Sequence, residues 1–514
     1  MEAFPNYCSK STTLSQEPSP NGCLSWRNKM TTKIRTYQNL INGEWKVNQT
    51  TEFFENRSPA NHGEVVGLFP KASIQDTQEA IESAYAALPG WSNMPAPGRG
   101  AILEKASQII HGRLEEIATT LTREEGKTLA EARGEVARAR DIFRYYAGEG
   151  WRSGGEALPS SMNGELLYTR REALGVISII TPWNFPIAIP AWKIAPALIY
   201  GNTVIFKPAE DSPLTALMLV EALMEAGLPK GVINYLTGDG AIIGTEMVGS
   251  SKVNGISFTG SHAVGAQIYQ HAIKNMTRVQ LEMGGKNALV VLKDADLNLA
   301  VDLTVKGGFG LTGQACTATS RVIVEEDIAE AYIAALVKAT RNLIVGNGIE
   351  SNVQMGPVVN LDQLRVDQEY MTIGKSEGAK LLIGGEVDDA SGYYAQPTIF
   401  DHVQPTMRIA QEEIFGPVIS IIRAKNIDDA IEKTNAISFG LSAGVVTNNL
   451  KHAFAFANNV EAGVVKINEP TTGLALNAPF GGFKQSSANT FKEMGQAAID
   501  FYTRTKTIYV GHGS

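Results

Sequence analysis

From residue 37 onward the spacing of apolar positions changes several times, and each change marks an element. Between 38 and 66 short apolar segments alternate with Asn-Gly and Pro, the pattern of small strands and turns. At Ser73 the period becomes helical. Asp76 stands three residues after the serine as a capping signal, and Ile81, Ala84, Tyr85 and Leu88 recur on one face. The same period runs through 98–121 with Ile102, Leu103, Ala106, Ile109, Ile110, Leu114, Ile117 and Leu121. A third helix is predicted over about 127–147, with Val136, Ala139, Phe143 and Tyr146 on its inner face. Its arginines, Arg133, Arg138, Arg140 and Arg144, read for the most part as a solvated surface.

Gly, Pro and Ser then interrupt the period between 154 and 171, where a hairpin is expected. Four units follow, each a short β-rich segment leading into a helix: 175–180 into 186–198, 202–206 into 214–226, 232–236 into 241–248, and 255–258 into 263–273. Strands that are apolar almost throughout, alternating with helices, predict a parallel sheet covered on both faces. The fold class is therefore α/β, doubly wound and Rossmann-like, with its ligand at the carboxyl ends of the strands. A second α/β portion runs from about 284 to 488. The tail, 500–510, alternates as a strand and is read as completing a sheet in a partner subunit. No internal repeat appears after residue 30.

Composition narrows the function classes. At 514 residues the chain exceeds one hydrophobic core, and two or three domains are expected. A net charge of −8 leaves no Lys/Arg excess for nucleic-acid phosphates. No apolar run reaches the length of a membrane span, and no secretory layout opens the chain, so the cytoplasm is the expected compartment. Residues 1–29 are polar, aperiodic and read as a disordered extension, with Met30 as a possible natural start.

Cysteine usage then singles out one residue. Cys8 and Cys23 fall in the extension, which leaves Cys316 in Gly313-Gln314-Ala315-Cys316-Thr317 as the only thiol of the body. It has no disulfide partner and too few companions for a Cys-based zinc site. Two readings stand at this point, a nucleophile or a small buried hydrophobe. The seven histidines show no ligand or triad spacing, which argues against a metal site and against a cysteine hydrolase.

Several other stretches sit where a strand ends. Phe258-Thr259-Gly260-Ser261-His262-Ala263-Val264-Gly265 runs from a strand into a helix, whose N-terminus suits a phosphate. Lys207-Pro208-Ala209-Glu210 offers a carboxylate that could accept both ribose hydroxyls and repel a 2′-phosphate. Thr181-Pro182-Trp183-Asn184-Phe185-Pro186 holds an amide between two prolines, either an oxyanion donor or a plain turn residue. Leu281-Glu282-Met283-Gly284-Gly285-Lys286 sets a carboxylate among apolar neighbours, where its pKa can rise enough for it to act as a base. Glu412-Glu413-Ile414-Phe415-Gly416-Pro417 adds acids beside an aromatic ring.

Taken together and in this order, TPWNFP, KPAE, FTGS, LEMGGK, GQACT, EEIFGPV and APFGGFKQSS resemble the aldehyde dehydrogenase superfamily, from about residue 37 to 510. The resemblance implies a nucleotide-binding domain over 30–150 and 172–283, a catalytic domain over 284–488, and an oligomerisation β-segment over 151–171 and 489–514. Activity would be NAD(P)-dependent oxidation of an aldehyde. Cys316 would attack the aldehyde carbon, Asn184 and the Cys316 N–H would hold the oxyanion, and Glu282 would activate the water that frees the acid. Members that pass the acyl group to coenzyme A lack a glutamate at this position, so Glu282 implies a free acid product. For catalysis at neutral pH the thiol would need its pKa lowered from about 8.5.

By the same resemblance the cofactor is NAD, with NADP possible. Lys207 and Glu210 would contact the adenosine ribose, Gly260 and Ser261 would face the pyrophosphate, and Glu413 would bind the nicotinamide ribose with Phe415 beside the ring. Ile180, Thr181, Pro182, Trp183, Pro208, Ala209, Gly240, Phe258, Thr259, Val264, Met283 and Gly284 complete the cofactor groove. The substrate funnel would be lined by Phe185, Trp192, Thr317 and Phe480. Trp192 replaces the Arg of succinic-semialdehyde members, and the likeness is nearest to the branch acting on α-ketoglutaric semialdehyde (2,5-dioxopentanoate). Arg138 would sit at the funnel mouth and pair with a remote acidic group of the substrate. Other aldehydes, or a non-catalytic protein keeping the fold, are the alternatives. A homodimer or homotetramer is expected, with no nucleic-acid, membrane or metal partner.

Overall fold

Alternation of apolar strands with helices becomes, in a computed structural model of the chain, two seven-stranded sheets. The structure describes residues 34–47, 51–152, 154–488 and 490–513. The extension 1–29 with Cys8 and Cys23, and the Met30 start, lie outside the described residues. From Arg35 onward the chain forms one unit.

The first sheet runs Arg278–Met283, Val253–Gly260, Val176–Ile180, Thr203–Lys207 and Ile233–Tyr235, all parallel, with Asn39–Ile41 and Glu44–Lys46 added antiparallel at one edge. Period two along its strands explains why they are apolar throughout. Val204 and Phe206 point into one core with the helices before residue 150, whereas Ile205 points into another with Ile81, Ala84 and Ile268. The second sheet repeats the arrangement. Six strands, Thr398–Asp401, Val418–Ala424, Thr319–Glu325, Asn287–Val291, Ser442–Val446 and Val464–Ile467, are parallel, and Lys380–Ile383 joins antiparallel at the edge. Val290 and Ile323 face one core, and Leu289, Val291 and Val322 the other.

The helix Ile74–Asn93 opens on the capping box read from Ser73 and Asp76, each satisfying the other's backbone N–H. The period through 98–121 does not make one helix. The chain breaks at Arg113 (φ −103°, ψ 14°) between Ala96–Gly112 and Leu114–Glu125. Gly112 is a poor helix former, and the Arg113 guanidinium turns to Glu116 and Glu221. The next helix, Leu129–Ala147, carries its own capping box, Thr128 with Glu131.

The tail strand Thr503–Gly511 pairs antiparallel with Glu165–Ala173 of its own chain over nine rungs, and Ala157–Leu158 adds a third strand. It therefore completes a sheet within its own subunit and stands as that sheet's edge. Among the described residues no helix is long and apolar enough to cross a membrane.

Candidate active site

Strand order decides where a ligand can sit. Among the parallel strands of the first sheet the chain starts at the central strand Val176–Ile180, moves outward to Ile233–Tyr235, then crosses back to Val253–Gly260 on the other side. The loops leaving Val176–Ile180 and Val253–Gly260 therefore diverge and open a crevice at the carboxyl edge. Register brings the motifs level there: Ile180 stands beside Lys207 and Phe258, Thr259 beside Glu282, and Gly260 beside Met283. Ser261 caps the helix His262–Ala272 through Val264 N–H, which turns the positive end of that helix toward the crevice.

Two cavities occupy this edge. One, of about 260 Å³, is lined by Pro182, Trp183, Asn184, Thr259, Gly260, Ser261, Met283, Gly284, Cys316, Glu413 and Phe415, with Ile189 and Gln363 in addition. The other, of about 430 Å³, is lined on one side by Ile180, Lys207, Gly240 and Val264, with Asp239, Gln267 and His271 among the rest. The structure thus brings Cys316, Asn184 and Glu413 to one cavity, although they come from both large sheets.

Glu413 reaches the cavity because residue 284 is glycine, since a Cβ there would collide with its carboxylate. One oxygen accepts the Gly285 N–H (2.8 Å). Burial pushes the carboxyl up to about 7, against the pull of that N–H and of Lys286. Phe415 holds a positive φ (63°) and meets Trp183 edge-on at 5.4 Å between ring centroids. A bulky residue held in the left-handed region marks a constrained loop.

The thiol stands on a short loop ahead of the strand Thr319–Glu325. Gly313 (φ 70°) passes so close to the Gly416 carbonyl that no side chain would fit. Asn287 donates to the carbonyls of Cys316 (2.8 Å) and Ala318 (2.9 Å), and Thr471 donates to that of Thr317 (2.7 Å). Asn184 donates its amide to the Gln314 carbonyl (2.9 Å) two residues before the sulfur.

Cys316 is half-buried. Burial, together with the carboxylates of Glu413, Glu282 and Glu493, pushes its thiol up from 9.0 to about 12, against a hydrogen bond from the Thr317 N–H. This is the opposite of the lowering that the resemblance requires for catalysis, first because the thiol is buried and then because three acids converge on it. Thiolate should therefore be scarce in the cofactor-free protein. Iodoacetamide alkylation of Cys316 should climb roughly tenfold per pH unit from 7 to 10, the slope of a group titrating above that window. A rate that levels off near neutral pH would contradict this environment.

Glu282 is fully buried at the end of Arg278–Met283 and does not line the cavity that holds Cys316. One oxygen accepts the Gly482 N–H (3.3 Å), while the other is buried without a partner among the described residues. Burial, and then the neighbouring Glu493, pushes its carboxyl well above the usual range against the opposing pull of Lys193 and Lys492. Glu493 itself forms a fully buried ion pair with Lys193 and accepts the Trp192 indole N–H (2.8 Å). Lys193 also donates to Ser257 (2.9 Å), which donates to Gln280 (2.9 Å).

The remaining residues named from sequence are distributed as follows. Thr181 is buried with an unpartnered hydroxyl, as is that of Thr259. The Lys207 ammonium is buried against the Pro208 carbonyl (3.1 Å), and its pKa is lowered by that burial against the pull of Glu210. Glu210 is exposed just past the strand end and Ala209 is partly exposed, whereas Phe258 packs beneath Gly260. Trp192 and Phe480 are buried with ring centroids 6.2 Å apart, and Thr317 is buried. Phe185 lies under the Lys127 ammonium at 4.5 Å. Arg138 is half-buried and makes no hydrogen bond or ion pair among the described residues. Sequence reading missed Gln363, Lys193 and Glu493, since no local pattern announces a partner some 300 residues away.

The crevice fits a dinucleotide. It combines a helix N-terminus, two buried hydroxyls and a buried ammonium that among the described residues have, respectively, no partner and only the neighbouring Pro208 carbonyl, and the Glu413 carboxylate.

Residues 45–508 match the aldehyde dehydrogenase family. The α-ketoglutaric semialdehyde dehydrogenase of Bacillus subtilis (strain 168) is 45% identical over 483 residues, covering 93% of this chain and 99% of that one. The 2,5-dioxopentanoate dehydrogenase of Saccharolobus solfataricus is 46% identical over 480 residues, covering 93% of this chain and all of that one (100%). Among solved structures, betaine aldehyde dehydrogenase from Staphylococcus aureus in complex with NAD+ superposes with a TM-score of 0.90 at 33% identity, covering 93% of this chain and 95% of that one.

Proposed function

This chain belongs to the aldehyde dehydrogenase family, and from that premise we propose that it oxidises α-ketoglutaric semialdehyde, or a closely similar acidic semialdehyde, to the free dicarboxylic acid with NAD. The observation that carries the reading is the meeting of Cys316, Asn184 and Glu413 on one cavity at the strand-order crevice. The substrate class follows the names of the 45–46% identical relatives.

In this reading Cys316 Sγ bonds to the aldehyde carbon as its proton passes to solvent water and the carbonyl π pair moves onto oxygen. The oxyanion formed is held by the Asn184 amide and the Cys316 N–H. When bound, NAD would be held by Lys207, Glu210, Ser261 and Glu413, and would supply a positive ring charge favouring thiolate and the acceptor for the hydride whose loss from the former aldehyde carbon leaves a thioester on Cys316. Glu282, its carboxyl rotated out of the Gly482 contact toward the thioester, takes a proton from water. The hydroxide formed releases the acid and regenerates the thiol. A carboxyl whose pKa is raised by burial passes to its basic form at higher pH than an exposed one, and a base with pKa nearer neutrality suits this task.

NAD is preferred over NADP because the Glu210 carboxylate, exposed at the strand end, accepts ribose hydroxyls and repels a 2′-phosphate. For the chain's organisation we assign the first large sheet to the dinucleotide, the second to the nucleophile, and the three-stranded sheet of residues 157–173 and 503–511 to association as a dimer or tetramer.

Arg138 is the residue we assign to the remote carboxylate. Its half-buried guanidinium lacks a bonded partner among the described residues. Arg138→Ala should raise KM for the acidic semialdehyde about 10- to 100-fold, the worth of one charged hydrogen bond, with kcat and the KM for a neutral aldehyde of similar length unchanged. An unchanged KM for the acidic substrate would remove Arg138 from the site. The reading as a whole is tested by following absorbance at 340 nm across a panel of aldehydes with each cofactor. The highest kcat/KM should fall to α-ketoglutaric semialdehyde with NAD, and a neutral aldehyde winning by tenfold would overturn the substrate assignment.

A further inference from the structure

Lys127 is a lysine in an unusual place. Its side chain is wholly buried, immediately before the helix Leu129–Ala147, far in sequence from every cavity-lining segment. The ammonium donates to the Asn184 main-chain carbonyl (2.6 Å) and to Glu135 Oε2 (2.6 Å), lies 4.5 Å over the Phe185 ring, and has Glu125 at 3.8 Å. Burial works against the charge, but Glu125 and Glu135 outweigh it and hold the ammonium above its ordinary range. Burying an ion pair is costly and seldom stabilises a fold as well as apolar side chains would. What this pair does have is reach. Glu135 turns its other oxygen to the N–H groups of Ile187 and Ala188, both at 3.1 Å. One turn earlier, Glu131 accepts the Leu311 N–H (2.7 Å) in the strained turn before Cys316.

A single helical turn thus grips both the loop carrying Asn184 and the turn leading into the nucleophile. We propose that Lys127, locked by Glu135, is a positioning residue that fixes the Asn184 amide against the Cys316 loop. The proposal rests on Asn184 being the oxyanion donor. A carbonyl held by a charge-assisted bond resists rotation more than one held by a neutral donor. The Asn184 peptide therefore keeps its orientation when negative charge develops beside the side chain. Without that hold the amide drifts, and a misplacement of about 1 Å can cost about 10²-fold.

The test is a double-mutant cycle in kcat on the full chain with saturating NAD and aldehyde, using Lys127→Met, Asn184→Ala and both together. Because Lys127→Met alone leaves the buried Glu135 carboxylate without its counter-ion, Lys127→Met/Glu135→Gln is scored alongside it, with Tm measured for every protein. The expected result is a fall in kcat of about 10- to 100-fold for the Lys127 variants. KM for NAD and the rate of Cys316 alkylation by iodoacetamide should be unchanged. In the Asn184→Ala background the same substitution should cost almost nothing further, the non-additivity of two residues acting as one. Full multiplication of the two losses, or an equal slowing of alkylation, overturns the proposal while leaving Asn184 as oxyanion donor. An unchanged kcat in Asn184→Ala alone refutes the oxyanion reading, and the positioning role with it.

Discussion

Cys316→Ala should lose dehydrogenase turnover by a factor on the order of 10⁴–10⁶, the scale on which removal of a catalytic nucleophile is felt. The measurement is NADH formation at 340 nm with the wild-type Tm and NAD affinity as controls. Both should be retained, because the side chain removed is small and half-buried and the main-chain carbonyls of its loop are held by the Asn287 and Thr471 side chains. Residual turnover within tenfold of wild type would mean that the aldehyde is oxidised without a covalent thioester, and the reading built on this cavity would fail. Cys316→Ser is the sharper companion. An alcohol is a far weaker nucleophile than a thiol at any pH where the protein is folded, so it should be nearly as inactive while preserving volume.

Glu282→Gln should separate the two halves of the reaction. Hydride transfer needs Cys316 and Asn184, whereas release of the acid needs a base for water. The variant should therefore give one rapid equivalent of NADH per active site, followed by a steady state slowed about 10²- to 10⁴-fold, the usual contribution of a positioned base. Mass spectrometry of the stalled enzyme should find the acyl group on Cys316. The pH profile gives a second arm. Burial and Glu493 hold the Glu282 carboxyl well above the usual range, so it is protonated at low pH and its basic form accumulates as pH rises. Wild-type deacylation should accordingly increase with pH, and that dependence should vanish in Glu282→Gln. A slow phase without a burst would place Glu282 in the first half-reaction instead.

The thiol itself shows why electrostatics were the least legible part of the chain. Gly313-Gln314-Ala315-Cys316-Thr317 alone leaves a nucleophile and a buried hydrophobe open, and only the family resemblance asks for a lowered pKa. Burial raises it most, and the carboxyl groups that add to this, Glu413, Glu282 and Glu493, come from segments up to 177 residues away by number, 493 against 316. Trp192 is a similar case. Its indole N–H goes to Glu493, beside the Lys193–Glu493 pair, a partner that nothing near it in sequence announces.

What the sequence determined by itself was everything set by neighbours a few residues apart. Apolar runs specified buried parallel strands, Ser73 with Asp76 announced a helix start, and Gly and Pro marked where strands end and ligands can approach. Period-two and period-3.6 burial is a property of each element alone, and so it survives in a linear reading. Tertiary structure alone decided which elements lie beside one another. It broke the 98–121 pattern at Arg113, folded the tail strand back onto its own chain, set Lys193 against Glu493 across 300 residues, and carried Lys127 to the Asn184 carbonyl across 57. Buried charges must find partners wherever the chain crossing supplies them, and no local period encodes that crossing.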